Sequence, residues 1–164
     1  MALLDVSLVL STLFCALVTG FILTFAIVVM PGLSKLNDKD FLRAFQLTDG
    51  MIQNNQPIFL LIWIGSVISV VALMISSTIA AQAPQAWLTV FAGVAYLLGV
   101  QGITLRIHLP LNGRVQSLPI DELDERALQQ ERLAFEQQWN YFNNIRTAIA
   151  FAVSLTLLTL TALR

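Results

Sequence analysis

The sequence predicts an all-α integral membrane protein, a four-helix transmembrane bundle with short interfacial helices in its two long connections. The chain of 164 residues is 57% hydrophobic and only 12% charged, whereas a soluble domain usually carries about 25% charged residues. Its charges are grouped into two polar stretches, and four apolar runs surround them. Each run is long enough to cross a hydrocarbon core of about 30 Å.

The first apolar run, residues 6–30, predicts the first span. No basic residue precedes it and it is longer than the apolar core of a signal peptide, so we expect a retained helix. Met30-Pro31-Gly32 should end this helix, because proline and glycine both disfavour its continuation. Small residues recur every four positions and would let another helix approach closely, including one from a second copy in a homo-oligomer. They are Ala16, Gly20 and Thr24.

The first long connection, residues 34–56, combines charged residues with a weak apolar face, which predicts a helix along the membrane interface. A spacing of i, i+3, i+4 and i+7 would place four residues on one face of that helix. They are Gln46, Asp49, Gly50 and Gln53. Taken by itself, this pattern is typical of a solvated polar face.

The next two apolar runs predict the second span at residues 57–81 and the third at about 86–107. Pro57 suits the first position of a helix, and residues 82–85 form a short uncharged turn between the two spans. The third span then ends next to the only histidine, His108.

The second long connection, residues 112–138, is polar and contains a predicted helix at residues 121–137 with a mostly solvated surface. Trp139 opens the fourth span, which reaches about residue 163. Eight of the nine Lys and Arg residues lie on the side of the two long connections, and only Arg164 lies on the other. The positive-inside rule therefore predicts cytoplasmic connections and external termini. A bacterial inner membrane, with its lipids as partners, is the natural setting, although an organelle stays open.

Composition argues against several classes of function. The formal net charge of -1, without a basic stripe, gives no means of neutralising phosphates, so we expect no nucleic-acid partner. Cys15 is the only cysteine, which excludes an intramolecular disulfide. With one histidine and that cysteine inside an apolar run, metal ligands are few, and we expect no metal and no cofactor. Apart from Asp5 near the terminus, the predicted spans contain no carboxylate, which argues against a proton-coupled transporter.

Polar residues from three segments should meet on one side of the bundle. They are Gln53 to Gln56, then Arg106, His108 and Asn112, then Trp139, Asn143 and Arg146. In an antiparallel bundle the exit of the third span and the entry of the fourth lie at the same depth. We therefore predict one pocket between residues 104–112 and residues 139–147. A purely structural interpretation is that the arginines extend to lipid headgroups and the amides cap helix ends, but capping does not require an imidazole and two guanidiniums at one depth.

Several motifs occur in an order that matches one family. They are Met30-Pro31-Gly32-Leu33, Pro57 and Phe59 after a Gln-rich entry, Pro110-Leu-Asn112, and Trp139…Asn143-Asn-Ile-Arg146-Thr147. On these motifs the chain resembles a family of small four-helix bacterial membrane proteins of largely unknown function, whose best-known relatives are the fungal anthrone oxygenases of polyketide biosynthesis. His108 departs from the pattern, which has an asparagine two residues before the proline.

The resemblance implies that dioxygen oxidises an activated methylene of an aromatic polyketide, without an evident metal or flavin. Such a reaction needs a base for the C–H proton and a cation for the resulting enolate. His108 is the predicted base, and Arg106 or Arg146 is the predicted cation. The residues expected to bind an apolar aromatic substrate are Asn112, Trp139, Asn143, Gln53 and Tyr141.

A non-catalytic membrane module is the alternative. It would bind lipid, assist assembly or pair with other helices through its small-residue stripe. An ordered lipid headgroup at Arg106 and Arg146 would favour this alternative, whereas a deep pocket with an aromatic ligand would favour the enzyme.

Overall fold

The computed structural model describes residues 3–80 and 83–164, and these residues form helices and no β-strand. The predicted all-α class is therefore confirmed. Four of the helices are long and apolar enough to cross a membrane: Leu3–Leu33, Pro57–Ala80, Pro84–Gln116 and Glu125–Ala162. The predicted end of the second span at Ala81 and the start of the predicted turn at Gln82 lie outside the described residues.

The helices are numbered here in chain order. α1 is Leu3–Thr24, and a π-helical turn, Phe25–Val29, joins it to α2, Met30–Leu33. α3 is Asp38–Gln53 and α4 is Pro57–Ala80. α5, Ala83–Tyr96, leads through two π-helical turns, Leu97–Gly102 and Thr104–His108, to α6, Leu109–Gln116. α7 is Glu125–Ala162.

Two prolines lie inside long helices, where the sequence predicted helix ends. The prediction that Met30-Pro31-Gly32 stops the first helix was wrong, since the helix continues through α2. Pro110 likewise lies inside a helix, in α6, beyond the predicted end of the third span. Each proline comes two residues after a π-helical turn. The N–H of the residue before it reaches back five residues, from Met30 to Phe25 and from Leu109 to Thr104. A π-helical turn widens the helix, which relieves the clash between a proline ring and the preceding turn.

Apolar side chains form two clusters along the bundle. The first lies between α1, α4, α5 and α7 and includes Val18, Val70, Tyr96 and Val153. The second lies at the end formed by the long connections, where α3 and α6 pack against α7. There Phe45 contacts Phe135 with ring centroids 4.5 Å apart. This second cluster presses α3 onto the bundle and so places its inner face against α6.

The predicted helix at residues 121–137 begins four residues later than predicted, at Glu125, and continues without a break into the fourth span as α7. Asp124 caps its first turn by accepting a hydrogen bond from the N–H of Ala127 at 2.8 Å. Arg132, on the part of α7 that lies in the connection, pairs with Glu136 at 2.8 Å and with Asp38 of α3 at 3.1 Å. These contacts tie α3 to α7 on the outside of the second apolar cluster.

Candidate functional site

A cavity of about 280 Å³ lies where α3, α4, α6 and α7 meet, close to the lower end of the size range of small-molecule pockets. Its aromatic lining consists of Phe21, Phe25, Phe45, Phe59, Trp63 and Trp139. Its polar lining consists of Asp49, Gln53, Asn55, Thr104, His108, Asn112 and Arg146. An apolar aromatic chamber with a few convergent polar groups is the usual form of a ligand site.

Three aliphatic side chains line the cavity and are also exposed on the outer surface of the bundle: Ile64, Leu105 and Leu109. Ile64 belongs to α4, whereas Leu105 and Leu109 belong to the π-helical turn and α6. The cavity therefore borders the outer apolar surface between these two helices.

Arg146 brings a buried positive charge to the cavity. Its side chain is 5% exposed. Nε donates to Asn143 Oδ1 and Nη1 donates to Thr104 Oγ1, both at 3.0 Å. The guanidinium carbon also lies 5.6 Å from the centre of the Trp139 ring, within the range of a cation–π interaction. No carboxylate in the described part of the chain pairs with Arg146, so neutral groups alone offset the cost of burying this charge.

Asp49 brings a buried carboxylate to the same cavity and is 2% exposed. Asn112 donates to its Oδ1 at 2.7 Å, while Gln116 and Gln53 donate to its Oδ2 at 3.1 and 3.2 Å. Burial raises the pKa of Asp49 above its usual 3.8, and the three amide hydrogen bonds act in the opposite direction. The described residues provide no cationic partner for this carboxylate.

Trp139 connects the polar groups of the site. Its indole N–H donates to Asn112 Oδ1 at 2.9 Å. The edge of the His108 ring meets the indole at a centroid distance of 5.0 Å and an angle of 83°. Phe25 and Phe45 pack against other parts of the indole, at 5.6 and 6.0 Å. The indole is therefore fixed on several sides and positions the residues around it.

His108 is also buried, with 2% exposure. Its two ring nitrogens have almost no accessible surface and no hydrogen-bond partner among the residues that the structure describes. Backbone groups of Ile103 and Trp139 approach the ring without reaching hydrogen-bonding geometry. The imidazole thus lines the cavity while both of its nitrogens stay buried.

The structure brings together most of the residues that the sequence singled out. Those that line the cavity are His108, Arg146, Asn112, Trp139 and Gln53. Asn143 does not line it but accepts a hydrogen bond from Nε of Arg146. Arg106 and Tyr141 do not line it, and both side chains are exposed. Each lies two positions from a residue that faces the cavity, and two positions on a helix turn a side chain most of the way to the other face.

Sequence reasoning misjudged Asp49. The spacing of Gln46, Asp49 and Gln53 was visible, but its interpretation as a solvated face was wrong for Asp49, because α3 packs this face against α6. Gln46 is half-buried and donates to the carbonyl of Val115 at 2.7 Å. The burial of Asp49 could be predicted only by pairing this polar face with the amides of α6. The pattern within one helix does not show that pairing.

The donor atoms at the site suit an organic ligand. Within residues 3–80 and 83–164, no three His, Cys, Asp or Glu side chains are grouped as ligands of a metal ion would be. Around the cavity, Arg146 offers a cation, Asp49 a carboxylate, and Asn112 and Gln53 amides. Such a set can hold an oxyanion at one point and accept a proton at another.

The fold and the site together define an all-helical protein, with four helices able to cross a membrane and one aromatic chamber that encloses opposite charges. The family model described as anthrone oxygenase matches residues 51–156, more than half of the chain, and the protein belongs to this family. Comparison with curated proteins and with solved structures gives no match. The matched region contains His108, Asn112, Trp139 and Arg146, whereas Asp49 lies just before it.

Proposed function

We propose that this protein is a membrane-embedded binder of apolar aromatic molecules that oxidises them with dioxygen, without a cofactor, in the manner of an anthrone oxygenase. The buried guanidinium of Arg146 carries the proposal, because Arg146 lines an aromatic cavity and its partners among the described residues are all neutral. A buried cation without a counter-ion is costly. A ligand that becomes anionic during the reaction would compensate it.

The proposed reaction converts an activated methylene and O2 into a ketone and water. A base removes one proton, and the electron pair of the C–H bond becomes an enolate whose oxygen Arg146 holds. The enolate gives two electrons to dioxygen as a C–O bond forms, and a proton completes a hydroperoxide. Loss of the remaining C–H proton and of hydroxide, which leave together as water, yields the ketone. The predicted base His108 and the carboxylate of Asp49 both border the cavity.

The surroundings of the cavity support a substrate that arrives through the bilayer. Ile64, Leu105 and Leu109 link the cavity to the outer apolar surface, so that a flat apolar molecule in the hydrocarbon would enter between α4 and α6. On the proposed topology, in a bacterial inner membrane, the two long connections face the cytoplasm, because they carry most of the Lys and Arg residues.

The two arginines that the sequence predicted as the cation provide a matched test. In protein reconstituted into lipid nanodiscs, oxygen uptake and quinone absorbance are measured with an anthrone. Arg146→Gln should lower the rate about 100-fold to 1,000-fold, as is typical for loss of an oxyanion donor. Arg106→Gln should leave it unchanged, because Arg106 is exposed outside the cavity. No protein-dependent oxidation by the wild type, or equal rates in the two variants, would contradict the proposal.

A non-catalytic membrane module remains the second candidate, and one observation favours it. The stripe Ala16, Gly20 and Thr24 is exposed on the outer face of α1, and a Cβ added at Gly20 would meet nothing within 4 Å. A second copy of the chain is then the partner to test. A defined dimer in nanodiscs that shows no oxidation of any anthrone would favour this module over the enzyme.

A further inference from the structure

Asp49 is a buried carboxylate at the edge of the cavity. It lies in the second-last turn of α3 and lines the cavity. Each of its three hydrogen bonds comes from a side-chain amide, from Gln53, Asn112 and Gln116. An asparagine has one acceptor oxygen, and its NH2 group would face one of these donors, so the three amides are matched to a carboxylate. They hold it at the cavity in spite of the cost of burying its charge.

The cavity also keeps its two charges apart. Asp49 and Arg146 both line it, yet they form no ion pair with each other. Amides surround the carboxylate, and Asn143, Thr104 and the Trp139 ring surround the guanidinium. A direct ion pair would neutralise both groups. Separation leaves the carboxylate free to accept a proton while the guanidinium holds the negative charge that results.

Oδ2 is the oxygen of Asp49 with the more easily displaced hydrogen-bond donor. Asn112 occupies Oδ1 through a hydrogen bond of 2.7 Å. Of the two donors to Oδ2, Gln116 also holds the carbonyl of Gln46 at 2.9 Å and is fixed. Gln53 lines the cavity, has an exposed side chain and makes the longest of the three bonds, at 3.2 Å. A ligand in the cavity can therefore displace the Gln53 amide and take its place at Oδ2.

The imidazole of His108 is less well placed for proton transfer. Its ring nitrogens have almost no accessible surface, and its edge is packed against the Trp139 indole. A substrate would reach either nitrogen only after the buried ring had moved. At Asp49, by contrast, only the exposed Gln53 amide has to give way.

We propose that Asp49 is the catalytic base of this site, and that the amides of Gln53, Asn112 and Gln116 position its carboxylate. The inference rests on the proposed function and assigns a residue to its first step. Oδ2 accepts a proton from the substrate methylene, and the C–H electron pair becomes the enolate that Arg146 holds. Asp49 gives this proton to the peroxide oxygen as the hydroperoxide forms. It then takes the remaining C–H proton and passes it to the departing hydroxide, which leaves as water, so Asp49 ends each cycle ionised.

The proton transfer can be measured without the oxidation that follows it. Under anaerobic conditions in D2O, wild-type protein in nanodiscs should accelerate the exchange of the methylene protons of an anthrone, as followed by NMR or mass spectrometry. Asp49→Asn should lose that acceleration by about 100-fold or more, the range for loss of a general base. It should still bind the anthrone, as judged by quenching of tryptophan fluorescence. Glu122→Gln, a carboxylate change on the exposed surface, is the matched control and should exchange as fast as the wild type.

Asp49→Glu keeps the carboxylate one methylene further out and decides the outcome if Asp49→Asn is poorly folded. Exchange in Asp49→Glu that clearly exceeds exchange in Asp49→Asn supports the base. Exchange that is retained in Asp49→Asn overturns the assignment of Asp49 as the base. The assignment is also overturned if His108→Gln loses the exchange and Asp49→Asn does not. If the wild type oxidises the anthrone while Asp49→Asn does so equally well, only the role of Asp49 fails. If the wild type neither exchanges nor oxidises it, the proposed function fails.

Discussion

Trp139 donates its indole N–H to Asn112 Oδ1 at 2.9 Å, and Asn112 in turn donates its Nδ2 to Asp49 at 2.7 Å. Because an indole can only donate, this contact requires the oxygen of the Asn112 amide to face Trp139 and its NH2 group to face Asp49. Three helices, α7, α6 and α3, are joined by these two bonds. The orientation of one amide thus links the aromatic wall of the cavity to its carboxylate.

Trp139→Phe tests this connection. The variant keeps an aromatic ring against Phe25 and Phe45 but removes the only donor to Asn112 Oδ1 among the described residues. We expect a loss of about 1 kcal/mol in the free energy of unfolding, the usual net worth of one hydrogen bond, and a larger loss of anthrone oxidation than of anthrone binding. Thermal unfolding in detergent and oxygen uptake measure the two effects. Trp87→Phe is the control, since Trp87 is exposed, and an equal effect of both changes would contradict this role of Trp139.

The pH dependence of the reaction should report Asp49. The base acts in its ionised form, and burial raises the pKa of Asp49 above 3.8. The rate of anthrone oxidation should therefore fall as the pH drops through this raised pKa, and the acid limb should lie above the ordinary range of an aspartate. Asp49→Asn should lack that limb in its residual rate. An acid limb that persists unchanged in Asp49→Asn would assign it to another group.

The Asp49 carboxylate should also make the free energy of unfolding depend on pH. Its contribution should fall as the pH rises, whereas the reaction rate should rise. A group whose pKa is higher in the folded state than in the unfolded state stabilises the fold below its unfolded pKa, and this contribution is lost as the pH rises through the folded pKa. The stability of the wild type relative to Asp49→Asn should therefore decrease from pH 3.8 upward until the raised pKa is passed. Unfolding of both proteins across this interval measures the difference, and a difference that does not vary with pH would show that Asp49 is not perturbed.

Arg146→Met separates function from stability. The change removes a buried charge that has no acidic partner in the described residues, and methionine fills part of the volume. The Thr104 hydroxyl still donates to the carbonyl of Val100 and the Asn143 NH2 group to that of Ile22, so the acceptor that loses its donor is Asn143 Oδ1. We expect the free energy of unfolding to stay within about 1 kcal/mol of the wild type, while oxidation is lost. A variant that fails to fold would show instead that Arg146 is a structural residue.

The sequence predicted the fold class because four apolar runs leave few alternatives. It also predicted that the exit of the third span and the entry of the fourth would meet, and Thr104, His108 and Asn112 do share a cavity with Trp139 and Arg146. The exact helix ends were harder to predict. A proline normally ends a helix, and the sequence gives no sign of the π-helical turns that let Pro31 and Pro110 lie inside one.

The sequence also does not show which side of each helix faces the cavity. Arg106 and Tyr141 were assigned to the site because of their depth in the membrane, yet depth does not determine which way a side chain points. Asp49 had the reverse problem, because its face looks solvated until the amides of Asn112 and Gln116 are seen opposite it. Pairing between segments more than 60 residues apart depends on tertiary packing, which periodicity within one helix does not encode.

Two glycines distinguish the internal packing of the bundle from the stripe on its outer face. A Cβ at Gly20 would meet nothing within 4 Å, whereas one at Gly99 would come within 2.7 Å of Ile149 Cδ1. Gly99→Ala should therefore lower the melting temperature, because Ile149 has to shift, and Gly20→Leu should leave both the melting temperature and anthrone oxidation unchanged. Size-exclusion chromatography with light scattering gives the oligomeric state of each variant. If Gly20→Leu converts an oligomer to a monomer while oxidation persists, pairing through the stripe is independent of the cavity. If oxidation is lost along with the oligomer, the active form needs more than one copy of the chain.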